Sequence, residues 1–218
     1  MGRRVKLGVL VSGSGSNLQS IIDRIDDGNL TADIACVISN NAGAFGLERA
    51  RQHAIPALHI DHRLFAGRSA YDAALVETLQ HYGVELVILA GFMRIITPVL
   101  IDAFPLAIMN IHPAILPAFP GLHAQRQALD HGARLSGCTV HFVDAGTDTG
   151  PIVIQAAVPV HDDDTEESLS ARIQVEEHRI YPRAIQLYAE GRLSVEGRRV
   201  VITPPAPAST TSLENPAV

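Results

Sequence analysis

Short, near-continuous apolar runs at Val5–Val11, residues 33–39 and residues 86–90 constrain this chain more than any other feature. Each is strand length, and a strand apolar on both faces must be covered on both faces. Helical patterns separate them, over residues 17–26, 44–53 and 69–82, with a short strand at 57–60 between the second and third helices. Strands alternating with helices predict a doubly wound α/β fold with a mostly parallel, Rossmann-like sheet. In such a sheet the ligand lies outside the carboxyl ends of the strands. The pattern changes in the second half. A strand at 106–111 leads into a proline-rich loop (113–121) and a helix at 122–131. Strands at 139–144 and Ile152–Pro159, joined by an acidic glycine-containing loop, predict antiparallel pairing in the C-terminal half. Thr165, followed by Glu166 and Glu167, opens a long helix to about residue 190, and 192–201 reads as a hairpin around Glu196-Gly197. The expectation is one domain over residues 1–202 and a disordered Pro/Ala/Ser/Thr tail over 203–218.

Composition removes several function classes. With 218 residues, 47% apolar and 18% charged, the chain is globular. Its net charge is −6, and Lys6 is the one lysine, so no long-range field attracts nucleic acid or an anionic membrane. An anionic ligand must instead be captured locally, by backbone amides and one or two arginines. Cys36 and Cys138 have no metal or redox spacing, and the run Val5–Val11 is too short to span a bilayer. The expected location is the cytoplasm, with neither a membrane nor a nucleic-acid partner.

Asn110-Ile111-His112-Pro113 and Asp148, in the loop from Asp144 to Gly150, carry the chemistry. A carboxamide, an imidazole and a carboxylate suffice to stabilise an oxyanion, move a proton and hold the proton carrier charged. Asn110 and His112 stand two apart, hence on one face of an extended segment, and Pro113 and Pro117 exclude a helix there. The loop at Leu116-Pro117 is expected to be rigid, with a cis bond allowed. Ser12-Gly13-Ser14-Gly15-Ser16-Asn17 follows the first strand and opens the first helix, a place where backbone N–H groups bind an anion. Leu18 replaces the third glycine of a dinucleotide fingerprint, and the second strand ends without an acid, so a small phosphate fits better than a dinucleotide. A plain helix-capping turn is the simpler alternative. Gly91-Phe92-Met93-Arg94-Ile95-Ile96 offers an apolar wall with a polar edge, although core packing explains such a segment equally well. Arg68 could reach an anion or simply be solvated. His112, His123, His141, Asp144 and Asp148 match no metal-site spacing, so no metal is expected.

At these residues the chain resembles the folate-dependent formyltransferase family, specifically its phosphoribosylglycinamide formyltransferases. The resemblance runs from about Val5 to Leu193 and rests on the segments just quoted, with residues 45–50 and Glu177-His178-Arg179-Ile180-Tyr181-Pro182 adding length. It implies that Asn110, His112 and Asp148 are catalytic. It places the ribonucleotide substrate at Gly15, Ser16, Asn17, Gly91 and Glu177, and folate at Arg68, Met93, Arg94, Ile95, Ile96 and Asn110. It further implies 10-formyltetrahydrofolate as co-substrate, a phosphate-binding half (about 1–100) and a folate and catalytic half (101–202). A homodimer is allowed and not required. Ala118-Phe119 stands where the family commonly has a basic residue and Tyr, a difference expected to touch only the rim.

The same family holds formyltetrahydrofolate hydrolases, which typically carry an extra N-terminal domain, and methionyl-tRNA formyltransferases, which need a further C-terminal domain and a basic surface. An acidic chain that opens on its first strand and carries a Gly-Ser-Asn loop resembles the ribonucleotide enzyme more. A catalytically silent binding module on the same fold is the remaining alternative.

Overall fold

The computed structural model describes residues 4–204; residues 205–218 of the expected tail lie outside them. The chain divides into two compact units, Met1–Asn110 and Ile111–Val218.

In the first unit five strands run β1 (Val5–Val11), β2 (Ala32–Ser39), β3 (Ala57–His59), β4 (Leu86–Leu89) and β5 (Ile108–His112), the last reaching two residues into the second unit. Their order is β3-β2-β1-β4-β5, and all their pairings are parallel. Helices α1 (Ser16–Asp26), α2 (Phe45–Gln52) and α3 (Arg68–His81) are the crossovers. The central strands are buried on both faces: Leu7, Val9, Leu10, Val37, Ile38, Leu86, Val87 and Ile88 have no exposed surface. The apolar runs read from the sequence are therefore interior strands, as the parallel reading requires. After β3 the chain crosses β1 to lay down β4 on its other side, so the strand order reverses between β1 and β4. A crevice forms at such a reversal because the two connections leave in opposite directions.

The second unit carries β6 (Leu135–Phe142), β7 (Ile152–Pro159), β8 (Leu193–Glu196) and β9 (Arg199–Ile202), ordered β6-β7-β9-β8. β6 and β7 pair antiparallel, as do β8 and β9, while β9 meets β7 in parallel through Ile152 and Arg199. Antiparallel pairing thus enters where the sequence placed it. Helix α5 (Ala124–Asp130) and the 24-residue α6 (Glu166–Ala189) complete the unit, with α6 packed on β6, β7 and α5.

Three boundaries differ from expectation for physical reasons. β6 starts at Leu135 rather than 139, because Leu135 to Cys138 pair with Pro159 to Ala156 across the small residues Ser136 and Gly137. A Cβ on Gly137 would lie 1.9 Å from the Ala156 carbonyl oxygen, so this strand pair tolerates only glycine there. β5 begins at Ile108 rather than 106, since Leu106 adopts φ 52° and cannot be strand. The α5 region is shorter than residues 122–131, because His123 at φ 58° takes the N-cap position. Among the described residues one α-helix escaped the sequence reading, α4 (Pro98–Ala103), with Thr97 at the N-cap and Pro98 in the first turn, as did a single 3-10 turn at His62–Leu64.

α6 begins with a reciprocal cap, in which Thr165 accepts from the Ser168 amide and the Ser168 hydroxyl accepts from the Thr165 amide. Thr165→Ala should lower stability by about 1 kcal/mol. Urea unfolding measures this, and an unchanged midpoint would contradict the capping role.

Candidate active site

β1 ends at Val11, and the chain turns at once into α1 through Ser12 to Gly15. Gly15 sits at the N-cap with φ 68° and offers no side-chain cap, so the first amides of α1, from Ser16 and Asn17 onward, lie at the positive end of the helix, facing the loop. Two constraints independently require glycine there: the left-handed backbone, and the 2.7 Å that would separate a Cβ from the Gly46 Cα. The loop is tied across the reversal point. The Ser12 amide donates to the Gly91 carbonyl at 3.0 Å, and the Met93 amide donates to the Ser12 hydroxyl at 2.9 Å. Gly91, at φ 72°, makes this second turn just beyond β4. A cavity of about 190 Å³ results, lined by the loop from Ser12 to Asn17 and by Ala90, Gly91 and Met93. Among the described residues its lining contains no carboxylate. Gly15, Ser16, Asn17, Gly91 and Met93 are therefore brought together, at the crevice where the fold concentrates helix-end donors.

The segment after Gly91 splits. Phe92 is buried, whereas Met93 and Ile95 are 70% and 63% exposed, Arg94 and Ile96 half-buried. Core packing thus accounts for Phe92 alone. The Arg94 guanidinium lies 5.2 Å over the ring of Tyr71 on α3. Arg68, exposed, is the first residue of α3 and stands three residues before Tyr71, hence on the same face of that helix. Arg68 and Arg94 share one neighbourhood at the start of α3.

β5 carries Asn110 and His112 on one face, two residues apart. His112 is buried, and both its ring nitrogens face acceptors. Nδ1 lies 3.3 Å from an Asp148 oxygen, and Nε2 lies 2.8 Å from the Phe119 carbonyl. A carbonyl can only accept, so Nε2 carries a hydrogen. Asp148, with φ 54°, also accepts from the Gly121 amide at 2.8 Å, and its second oxygen lies 3.7 Å from His141 Nε2. Burial alone would raise its pKa. The His141 hydrogen bond, the Gly121 amide and the charges of His112 and His141 outweigh burial and hold the carboxyl below its ordinary value.

His141 is the member of this cluster that sequence reasoning placed only in a rejected metal set. Its Nδ1 lies 2.9 Å from the Phe142 carbonyl, and a register shift between Val140 and His141 in the β6–β7 pair accompanies its position. The signal was present: Thr139 and His141 are polar at i and i+2 in an apolar strand, and both are buried. Thr139 accepts from the Leu116 amide at 3.0 Å and donates to the Ala114 carbonyl at 2.7 Å. Gln155 donates to the Leu116 carbonyl and to Thr139. These bonds fix the proline loop, whose Leu116-Pro117 bond is cis. Phe119, at φ 52°, contacts His112 through its backbone carbonyl, a group that does not depend on the side chain at that position. Asp144 holds the loop ahead of Asp148 by accepting from the Gly146 amide and the Thr149 hydroxyl. Gly150 has no room for a Cβ, which would lie 1.8 Å from the Phe142 carbonyl oxygen.

Glu177 lies in the middle of α6 with its side chain buried, and its charge helps raise the nearby Cys138 thiol. Burial, the larger cause, pushes both Cys36 and Cys138 to about 12, which leaves two inert thiols. His123 is exposed at the start of α5. Among the described residues, no three or more His, Cys, Asp or Glu side chains are grouped so as to hold a metal ion, and no helix is long and apolar enough to cross a membrane.

Comparison with known proteins gives a consistent result. Residues 5–185 match the model of the formyl transferase family. Over 187 residues the chain is 46% identical to the phosphoribosylglycinamide formyltransferase of Escherichia coli, covering 86% of this chain and 88% of that one. The crystal structure of glycinamide ribonucleotide transformylase 1 from Symbiobacterium toebii superposes with a TM-score of 0.91 at 58% identity, covering 93% and 95% of the two chains. The trifunctional purine biosynthetic protein adenosine-3 of Drosophila melanogaster is 49% identical over 191 residues, and this chain spans 14% of its length.

Two outcomes follow from the geometry. Gly15→Ala should fold with a distorted loop and lose affinity for inorganic phosphate, measured by calorimetry; unchanged affinity would remove the loop as an anion site. Because the folded-state pKa of Asp148 lies below its unfolded value of about 4, the ionised carboxylate stabilises the fold above that value. That contribution disappears as pH falls through the lower folded value. The stability gap between parent and Asp148→Asn in urea should therefore be widest near neutrality and close on acidification below about pH 4. A gap that did not change with pH would contradict the assignment.

Proposed function

This chain belongs to the formyl transferase family, and from that premise we propose that it transfers the formyl group of 10-formyltetrahydrofolate to the amino group of 5′-phosphoribosylglycinamide, giving N-formyl product and tetrahydrofolate in de novo purine synthesis. The observation that carries the reading is the buried His112–Asp148 pair at 3.3 Å, with Asn110 two residues before the histidine on the same strand face. The substrate phosphate takes the α1 amides at Gly15, Ser16 and Asn17 and the turn at Gly91, where the lining has donors and no carboxylate. Glu177 takes a polar group of the same substrate. Arg68, Arg94 and the apolar side chains of Met93, Ile95 and Ile96 take folate, with Asn110 at the reacting end.

The uncharged substrate amine attacks the formyl carbon, forming a C–N bond while the carbonyl π pair moves to oxygen. Asn110 donates an amide N–H to that oxyanion, and the His112 imidazolium donates a second hydrogen bond through Nε2, which exchanges the Phe119 carbonyl for the oxyanion while Nδ1 stays on Asp148. Asp148 holds the imidazole in orientation and balances its charge, as the carboxylate of an Asp–His pair does elsewhere. A proton then leaves the attacking nitrogen, the folate nitrogen receives one, and the old C–N bond breaks. No metal enters this scheme, since every charge that develops has a side-chain partner. Two buried thiols suit a reducing cytoplasm. The reaction needs no second chain, so a homodimer is an addition to this reading rather than a condition of it.

Mixing the protein with both substrates and following folate absorbance tests the proposal. Absorbance should change only when both are present; a change with the folate alone would assign a hydrolase, and no change a silent binding module. Asn110→Ala should lower kcat by about 10²–10³-fold, or about 3–4 kcal/mol of transition-state stabilisation. A variant as fast as the parent would strip Asn110 of its role.

A further inference from the structure

A second concavity in the first unit adjoins the phosphate loop. It measures about 340 Å³ and is lined by Ser12, Asn40, Asn41, His59, His62 and Arg63 together with Ala42. Ser12 lines this cavity and the loop cavity alike, so the two meet at that residue. The second cavity opens beyond the ends of β2 and β3, away from β4, on the side of the sheet order that the formyl-transfer reading leaves unused. Its size is at the low end of small-molecule sites and exceeds what a single ion needs.

The chemistry of its wall is one-sided. Among the described residues no carboxylate lines it, while an arginine, two histidines and two carboxamides do, in a chain whose net charge is −6. Asp61 holds the Arg63 side chain through Nε and Nη2, which fixes the guanidinium and leaves Nη1 outside that pair. The buried Nδ1 of His62 has no hydrogen-bond partner among the described residues, and the ring is kept in place edge-on to Tyr71 at 6.2 Å. Asn40 accepts from the Ser12 hydroxyl at 2.6 Å, and Asn41 accepts from the Gly43 amide, so the carboxamides are oriented before any ligand arrives. A pre-oriented cationic and amide wall next to a helix-end phosphate site suits a second phosphate.

We propose that this cavity is a second phosphate subsite, and that the protein binds a bisphosphorylated ribosyl compound with one phosphate on the Ser12–Asn17 loop and the other against His59, His62 and Arg63. A ligand spanning both positions excludes a monophosphorylated substrate from the loop, so it inhibits by competition. The inference rests on the loop as a phosphate site and not on formyl transfer. Binding is therefore read directly, and a failed transfer assay would leave it standing.

The test is calorimetric titration of the whole protein with ribose 5-phosphate, ribose 1,5-bisphosphate and ADP. The bisphosphate should bind more tightly than the monophosphate; tighter binding of ADP would identify a nucleoside diphosphate as the source of the two phosphates. Arg63→Gln and His59→Gln, both at exposed positions, should each weaken the two-phosphate ligand by about tenfold, the loss expected for one charge-assisted hydrogen bond. Affinity for ribose 5-phosphate should stay the same in both, which a general loss of folding would not allow. Equal affinity of the parent for all three ligands, or two-phosphate binding that neither variant weakens, would overturn the proposal.

Discussion

The carboxylate of Asp148 lies within 3.3 Å of one imidazole and 3.7 Å of another, and the second unit is arranged around keeping it there. A buried carboxylate is costly unless its oxygens find donors. Here the donors come from three separate stretches of chain: His112 at the end of β5, Gly121 in the proline loop, and His141 on β6. Each has its own support. The Phe119 carbonyl holds the far nitrogen of His112, the Phe142 carbonyl that of His141, and Thr139 with Gln155 fixes the loop that delivers Phe119 and Gly121. The left-handed backbone at Phe119 and Asp148, uncommon outside glycine, is maintained by this cross-bonding.

In the first unit the same logic runs through the backbone rather than through side chains. The reversal of strand order between β1 and β4 opens a crevice, and glycines at 15 and 91 let the chain turn sharply on each side of it. Ser12 stitches the two turns together. On the proposed reading the anion site is built from amides, which is how an acidic protein would hold a phosphate.

Much of this was legible in the sequence. Apolar runs such as Val5–Val11 fixed the parallel sheet, since only strands covered on both faces read that way. The Asn110, His112 and Asp148 side chains stood out because their chemistry is rare in combination and Pro113 forces an extended chain. What stayed hidden depends on contacts between distant residues. His141 looked like one more histidine until the β6–β7 register turned it toward Asp148. The Phe119 carbonyl is a backbone group, invisible in residue type. β6 was cut short because Ser136 and Gly137 carry no strand signal, yet glycine is demanded there by the neighbouring strand. α4 was a different kind of miss, for Thr97 and Pro98 announce a helix start and the following residues were simply too few to show a period.

The claim at the centre is that His112 and Asp148 act as one unit in formyl transfer. A double-mutant cycle on kcat with His112→Ala, Asp148→Ala and the combined variant tests it most directly. If the pair acts together, the double variant should be scarcely slower than His112→Ala alone, because the carboxylate has nothing left to orient. Losses that simply multiply would mean that the two residues serve the reaction separately, and the account would fail.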